Sequence, residues 1–167
     1  QPKLVSIDFQ FRTNGTYNAD AKFMYQGFVE SLLRATRVFD IVDQNDGSLI
    51  LDGAPIQQLV VVLDNRADLG YVVQKGAQIG ASFGAVGGFV TDEYMMTVEL
   101  KEGDDDARIG DGNDVIYRRS YQHSLHTALG THSPPYGLEP RNAQDAFEVM
   151  LEQLILNFVY EFSLVEL

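Results

Sequence analysis

The chain opens on a regular alternation. In "PKLVSIDFQF", Val5, Ile7, Phe9 and Phe11 fall on one side of an extended segment, and Leu4, Ser6, Asp8 and Gln10 on the other. That period of two is the pattern of a half-buried strand. After the loop "RTNGTYNAD" the period changes. Asn18 stands where a helix N-cap belongs, with Asp20 in the first turn. Phe23, Met24, Phe28, Leu32 and Ala35 then recur at helical spacing. This predicts an amphipathic helix over 19–37 with those five residues as its apolar stripe.

Alternation returns in "RVFDIVD", with Val38, Asp40 and Val42 set against Phe39, Ile41 and Asp43. "QNDG" reads as a turn, since Asp46-Gly47 tolerates positive φ, and "SLILD" as a short returning strand. The β-branched stretch "PIQQLVVVLDNRADLGYVVQKG" predicts one long strand or two. "TDEYMMTVELKEG" predicts a strand with Tyr94, Met96, Val98 and Leu100 on one face. The acidic "DDDARIGDGND" reads as a turn and "VIYRRSYQHSLHTAL" as its partner strand. Pro134, Pro135 and Pro140 make "GTHSPPYGLEP" a loop. From Asn142 onward, Ala143, Phe147, Met150, Leu151, Leu154, Ile155, Phe158, Val159 and Phe162 form one broad stripe, predicting a second long helix. The order strand, helix, several strands, helix predicts an α+β fold. Its sheet is mostly antiparallel and both amphipathic helices pack on one face. The 167 residues, without repeat or linker, read as a single domain over 1–167 with room for a sizeable core.

Charge narrows the partners. Against 12 basic side chains stand 24 acidic ones, a net charge of -12, and Arg118-Arg119 is the only adjacent basic pair. Such a chain repels nucleic acid and anionic headgroups over any long range. Without cysteine it has neither disulfide nor thiolate chemistry. No run reaches the roughly 18 apolar residues of a membrane-spanning helix. The chain begins at Gln1, so the expectation is a trimmed or processed product, from which any signal peptide or lipid anchor would have been lost upstream.

Three stretches invite chemistry. "KGAQIGASFGAVGGFV" holds Gly76, Gly80, Gly84, Gly87 and Gly88. A dinucleotide fingerprint needs G-x-G-x-x-G between a strand and a helix, whereas strand-like residues follow here and no Walker lysine does. Gly76, Gly80 and Gly84 satisfy small-xxx-small, but Ile79 to Val90 is about half a membrane span and its glycines oppose a helix. A bent strand pair or loop is the better reading. As the least polar long stretch of an acidic chain, it is the expected interaction surface, through Ile79, Gly80, Phe83, Gly84, Val86, Gly87 and Phe89. The alternative is that its apolar side chains turn inward. "IGDGNDVIY" carries Gly110, Gly112, Asp114 and Ile116 of a calcium nonapeptide. A single copy has no neighbouring turn to share the ion, so a solvated hairpin tip is expected, with weak calcium binding at Asp104 to Asp106 the alternative. His123, His126 and His132 lie close together in "HSLHTALGTH". In a strand, His123 and His126 face opposite ways and share no metal, whereas in a helix they could. No G-x-S-x-G elbow appears. The expectation is no catalytic residue, no cofactor and no metal.

Three quoted segments together resemble bacterial cell-envelope lipoproteins. "FVESLLRATRVFDIVD" is similar to their helix-to-strand passage, "IGASFGAVGGFVTDEYMMTVEL" to their Gly-rich segment and following strand, and "AQDAFEVMLEQLILNFV" to their C-terminal helix. Auxiliary lipoproteins of envelope transport systems share this look, and curli-secretion channel lipoproteins share it more distantly. The resemblance implies a periplasmic, lipid-anchored, non-catalytic assembly or accessory component at the outer membrane with a protein partner. The alternatives are a pore-forming oligomer that inserts 76–90 in the outer membrane, and a metal-dependent hydrolase using His123 and His126.

Overall fold

The computed structural model describes residues 2–42, 56–67, 88–102, 114–129 and 142–165. They form β1 (Lys3–Thr13), β2 (Thr16–Tyr17), α1 (Ala19–Ala35), β3 (Phe39–Ile41), β4 (Gln57–Ala67), β5 (Gly88–Lys101), β6 (Val115–Leu129) and α2 (Ala143–Ser163). The expected turn and strand "QNDG" and "SLILD", residues 68–76 of the β-branched stretch, most of the Gly-rich stretch, the acidic turn before Asp114, the proline loop and His132 lie outside the described residues.

The strands make one sheet in the order β2-β1-β4-β5-β6, with β3 paired to β1. β4–β5, β5–β6 and β1–β2 are antiparallel. The mostly antiparallel α+β fold read from the sequence is therefore present, but with a parallel centre. β1 runs parallel to β4 from Val5↔Gln57 to Thr13↔Asn65, and parallel to β3 at Lys3↔Phe39. Side-chain alternation fixes which face a strand buries and leaves the direction of its neighbour open. The run "LVVVL" does carry a positional signal. Leu59, Val61 and Leu63 are buried on one face and Val60 on the other, a near-continuous apolar run that suits a strand flanked on both sides within the sheet.

Between β1 and β2 the chain makes a tight hairpin rather than a loop. Asn14 and Gly15 both take positive φ, 50° and 78°, the geometry of a two-residue primed turn that Asn-Gly suits. The Asp64 carboxylate accepts from the Gly15 N–H at 2.9 Å and ties the turn to β4. α1 starts at the predicted cap, where Asn18 Oδ1 accepts from the Ala21 N–H at 3.0 Å. α2 starts likewise, Asn142 Oδ1 accepting from the Asp145 N–H at 2.8 Å.

Both helices pack on one face of the sheet. Phe11 of β1 meets Tyr25 of α1 and Phe147 of α2, with ring centroids 6.2 and 6.1 Å apart. Tyr94 of β5 closes on Phe147 at 5.4 Å, and Tyr117 of β6 on Phe162 at 5.2 Å. The α2 stripe is buried as predicted, apart from Ala143 in its exposed first turn. The α1 stripe is corrected. Val29 and Leu33 are its buried residues, with Ala21, Tyr25, Phe28 and Leu32 packed against the core, whereas Phe23 is 90% and Met24 66% exposed. At 100° per residue Phe23 lies about 180° around the helix from Leu32, so no rotation of α1 buries both.

Candidate interaction surface

β6 ends the sheet order and pairs only with β5 among the described residues. The register runs from Gly88↔Leu129 to Leu100↔Tyr117, with one irregularity between Leu100 and Lys101. In an edge strand alternate residues turn their N–H and C=O groups away from the sheet. All fifteen residues of β6 are free of proline, aspartate and glutamate, while Arg118, Arg119, His123 and His126 belong to it.

The alternation sends Tyr117, Arg119, Tyr121 and His123 to the helix face. There the Tyr121 hydroxyl donates to Glu161 of α2 at 3.0 Å, and Arg119 Nε lies 3.6 Å from the same carboxylate. The Arg119 guanidinium also sits 5.0 Å from the centre of the Tyr117 ring. Burial holds the Tyr121 hydroxyl well above the ordinary tyrosine range, and its hydrogen bond and charge contact with Glu161 push the same way. Burial likewise raises Tyr117. Further along this face Tyr94 is pushed up to about 12, first by burial and then by the charge of Asp92 and by Tyr25, and its hydroxyl accepts from Asn65 Nδ2 at 3.2 Å.

The opposite face is a hydrogen-bonded polar lattice. Arg118 pairs with Glu99 of β5, and Thr97 Oγ1 lies 3.1 Å from Ser120 Oγ. Gln122 and Ser124 donate to the two oxygens of Glu93 at 3.1 and 2.8 Å. Those two hydrogen bonds, Gln122 first, hold the Glu93 carboxyl below its usual range. Thr91 Oγ1 and His126 Nδ1 are 2.8 Å apart.

His123 is paired with Tyr94 and His126 with Thr91, so they stand on opposite faces of β6. They cannot share a metal ion, which removes the ligand pair the hydrolase alternative needed. Among the described residues no group of three or more His, Asp or Glu side chains is placed to hold a metal. Of the residues expected at an interaction surface, Ile79, Gly80, Phe83, Gly84, Val86 and Gly87 lie outside the described residues, as does the segment the pore alternative would insert. Phe89 is within β5, its backbone paired with Ala128. β6 was not singled out from the sequence as a surface. The signal was present in its fifteen residues without a carboxylate, inside a chain of net charge -12.

Comparison with known proteins assigns no family. No protein-family model matches the chain, and no curated protein matches its sequence. Among solved structures it is similar to a minor lipoprotein from Acinetobacter baumannii, at 13% identity and a TM-score of 0.45 over 96% of this chain and 92% of that one. It is also similar to a neuraminyllactose-binding hemagglutinin homolog from Helicobacter pylori, at 11% identity and a TM-score of 0.46 over 96% of this chain and 87% of that one. Scores this low carry no weight for function.

Proposed function

We propose that the chain is a non-catalytic accessory or assembly component of the bacterial cell envelope that works through protein-protein contacts. The observation that carries this reading is the long β6 edge, which has no neighbouring strand among the described residues. An edge of that length is a template for pairing with another chain, and natural proteins shorten, kink or cover such edges when no partner is intended. The resemblance of the helix-to-strand passage and the closing helix to envelope lipoproteins supports a periplasmic site of action, with attachment to the outer membrane through a lipid upstream of this sequence.

The test is site-specific photo-crosslinking of the full-length gene product in the cells that make it. The photoreactive residue is placed at Gln122, Phe23 or Tyr160, which are exposed on β6, α1 and α2. The reading expects a discrete higher-mass adduct in the envelope fraction from at least one position. Absence of adducts from all three overturns it.

A further inference from the structure

We infer that β6 accepts an extended segment of a partner protein as a further strand, and that this segment carries two adjacent carboxylates. The inference rests on the reading of the chain as a protein-binding accessory component, and it specifies the surface and the chemistry of the occupant.

The geometry comes first. Strand addition uses the outward N–H and C=O groups of an edge for affinity and the flanking side chains for selectivity. β6 offers fifteen residues without proline, and its only pairing irregularity is at one end, beside Leu100/Lys101. Among the described residues no helix or strand covers it, and of the charged side chains that can blunt an edge it carries only Arg118, Arg119 and the two histidines.

Charge then selects the occupant. Arg118 and Arg119 are consecutive, so one projects on each face of the sheet, with side chains 64% and 53% exposed. Their partners Glu99 and Glu161 come from β5 and α2, behind the edge. Each guanidinium has five N–H donors, and Arg118 spends only Nε and Nη2 on Glu99. A strand laid along β6 sets two consecutive residues opposite this pair, one on each face. Carboxylates there extend the row Glu99–Arg118 on one face and pair with Arg119 on the other. Beyond them, Ile116 is 43% exposed on the same face as Arg118, so the partner residue two positions from the acid facing Arg118 is apolar.

A second copy fits poorly. β6 contains no carboxylate, so no register of one β6 on another supplies a partner for either arginine, and like charges directly opposite are destabilising. The net charge of -12 opposes an acidic partner at a distance. With a Debye length of about 8 Å at physiological ionic strength, the contact pairs outweigh remote carboxylates once the strand is seated.

The probe is a synthetic strand-forming peptide of alternating Val and Thr with a central Glu-Glu, compared with the same peptide carrying Lys-Lys. Amide exchange is followed residue by residue on the folded chain. With the Glu-Glu peptide in excess, alternate amides of 115–129 should exchange at least about tenfold more slowly, while those of α2 stay unchanged. The Lys-Lys peptide should bind about tenfold more weakly or worse. Arg118→Gln should narrow that preference with at most a small shift of the urea unfolding midpoint, since Gln keeps a donor for Glu99 and the Arg118 end of the pair is exposed. No protection of β6 by the Glu-Glu peptide at about 1 mM, equal binding of both peptides, or a dimer that protects β6 without peptide would each overturn strand addition by an acidic segment. Crosslinks from Phe23 or Tyr160 but never from Gln122 would also overturn it while leaving the accessory role standing. Loss of adducts at all three positions would overturn the role itself.

Discussion

Two phenylalanines that look alike in sequence should behave oppositely when removed. Phe158 is 1% exposed and Phe23 is 90% exposed. The Phe158 ring stacks on Phe39 at 5.8 Å with an interplanar angle of 8°, and lies 6.2 Å from Tyr117 and 5.7 Å from Phe162. It therefore joins α2 to β3 and β6 at once. Truncating a buried Phe to Ala costs about 3–5 kcal/mol, because the lost transfer energy is joined by a cavity term. The ring pairs, each worth roughly 0.5–1.5 kcal/mol beyond area, place Phe158→Ala towards the upper end of that range. A typical domain has only about 5–15 kcal/mol in total, so Phe158→Leu, which keeps most of the volume, serves as a milder companion. Phe23→Ser should stay within about 0.5 kcal/mol, as for an ordinary surface site. The assay is urea unfolding by linear extrapolation, with unchanged m-values required for a clean reading. A cost under about 1 kcal/mol for Phe158→Ala, or above about 1 kcal/mol for Phe23→Ser, would refute the placement of the helices.

Asn18→Ala should destabilise by about 1 kcal/mol, lowering Tm by about 2–4 °C, because the Ala21 N–H loses its acceptor, while Asn18→Asp should keep most of the cap. Calorimetry that finds the two variants equal would deny Asn18 the capping role. Tyr94 carries a pH signature: its folded pKa of about 12 stands above the unfolded 10, so its contribution is complete below pH 10 and lost as pH rises to about 12. Urea midpoints should fall across that window, less steeply in Tyr94→Phe; some slope should persist because Tyr25, Tyr117 and Tyr121 are shifted the same way, and identical slopes would contradict the burial of the Tyr94 hydroxyl.

How much of this was legible beforehand depended on the range of the interaction. α2 was readable because its stripe repeats over six turns and Asn142 caps it, both local features. β6 was readable from end to end for the same reason, as fifteen residues bounded by the acidic stretch and the proline loop. α1 was half readable. Its cap at Asn18 was visible, but two apolar frames overlap in 19–35, and contact with β1 and α2 selected the one through Tyr25, Val29 and Leu33. The Asn14-Gly15 hairpin carried an explicit signal that composition alone dissolved into a loop. Parallel pairing of β1 with β4 was not readable, because the two strands are separated by more than forty residues and neither alternation nor propensity reports direction. The β6 edge was equally hidden, since being last in a sheet is a property of the whole topology. Only its missing carboxylates were local.

The proposed binding surface is that edge. Residue-resolved amide exchange of the isolated chain tests it most directly, since each amide reports whether a partner already holds it. In β4, central in the sheet with β1 and β5 on either side, amides should be protected to near the global stability. In β6 protection should alternate, with the amides facing β5 slow and every second one, facing outward, exchanging close to the unprotected rate. Uniform strong protection along 115–129 in the monomer would mean that the edge is already covered, and would contradict the proposed binding surface.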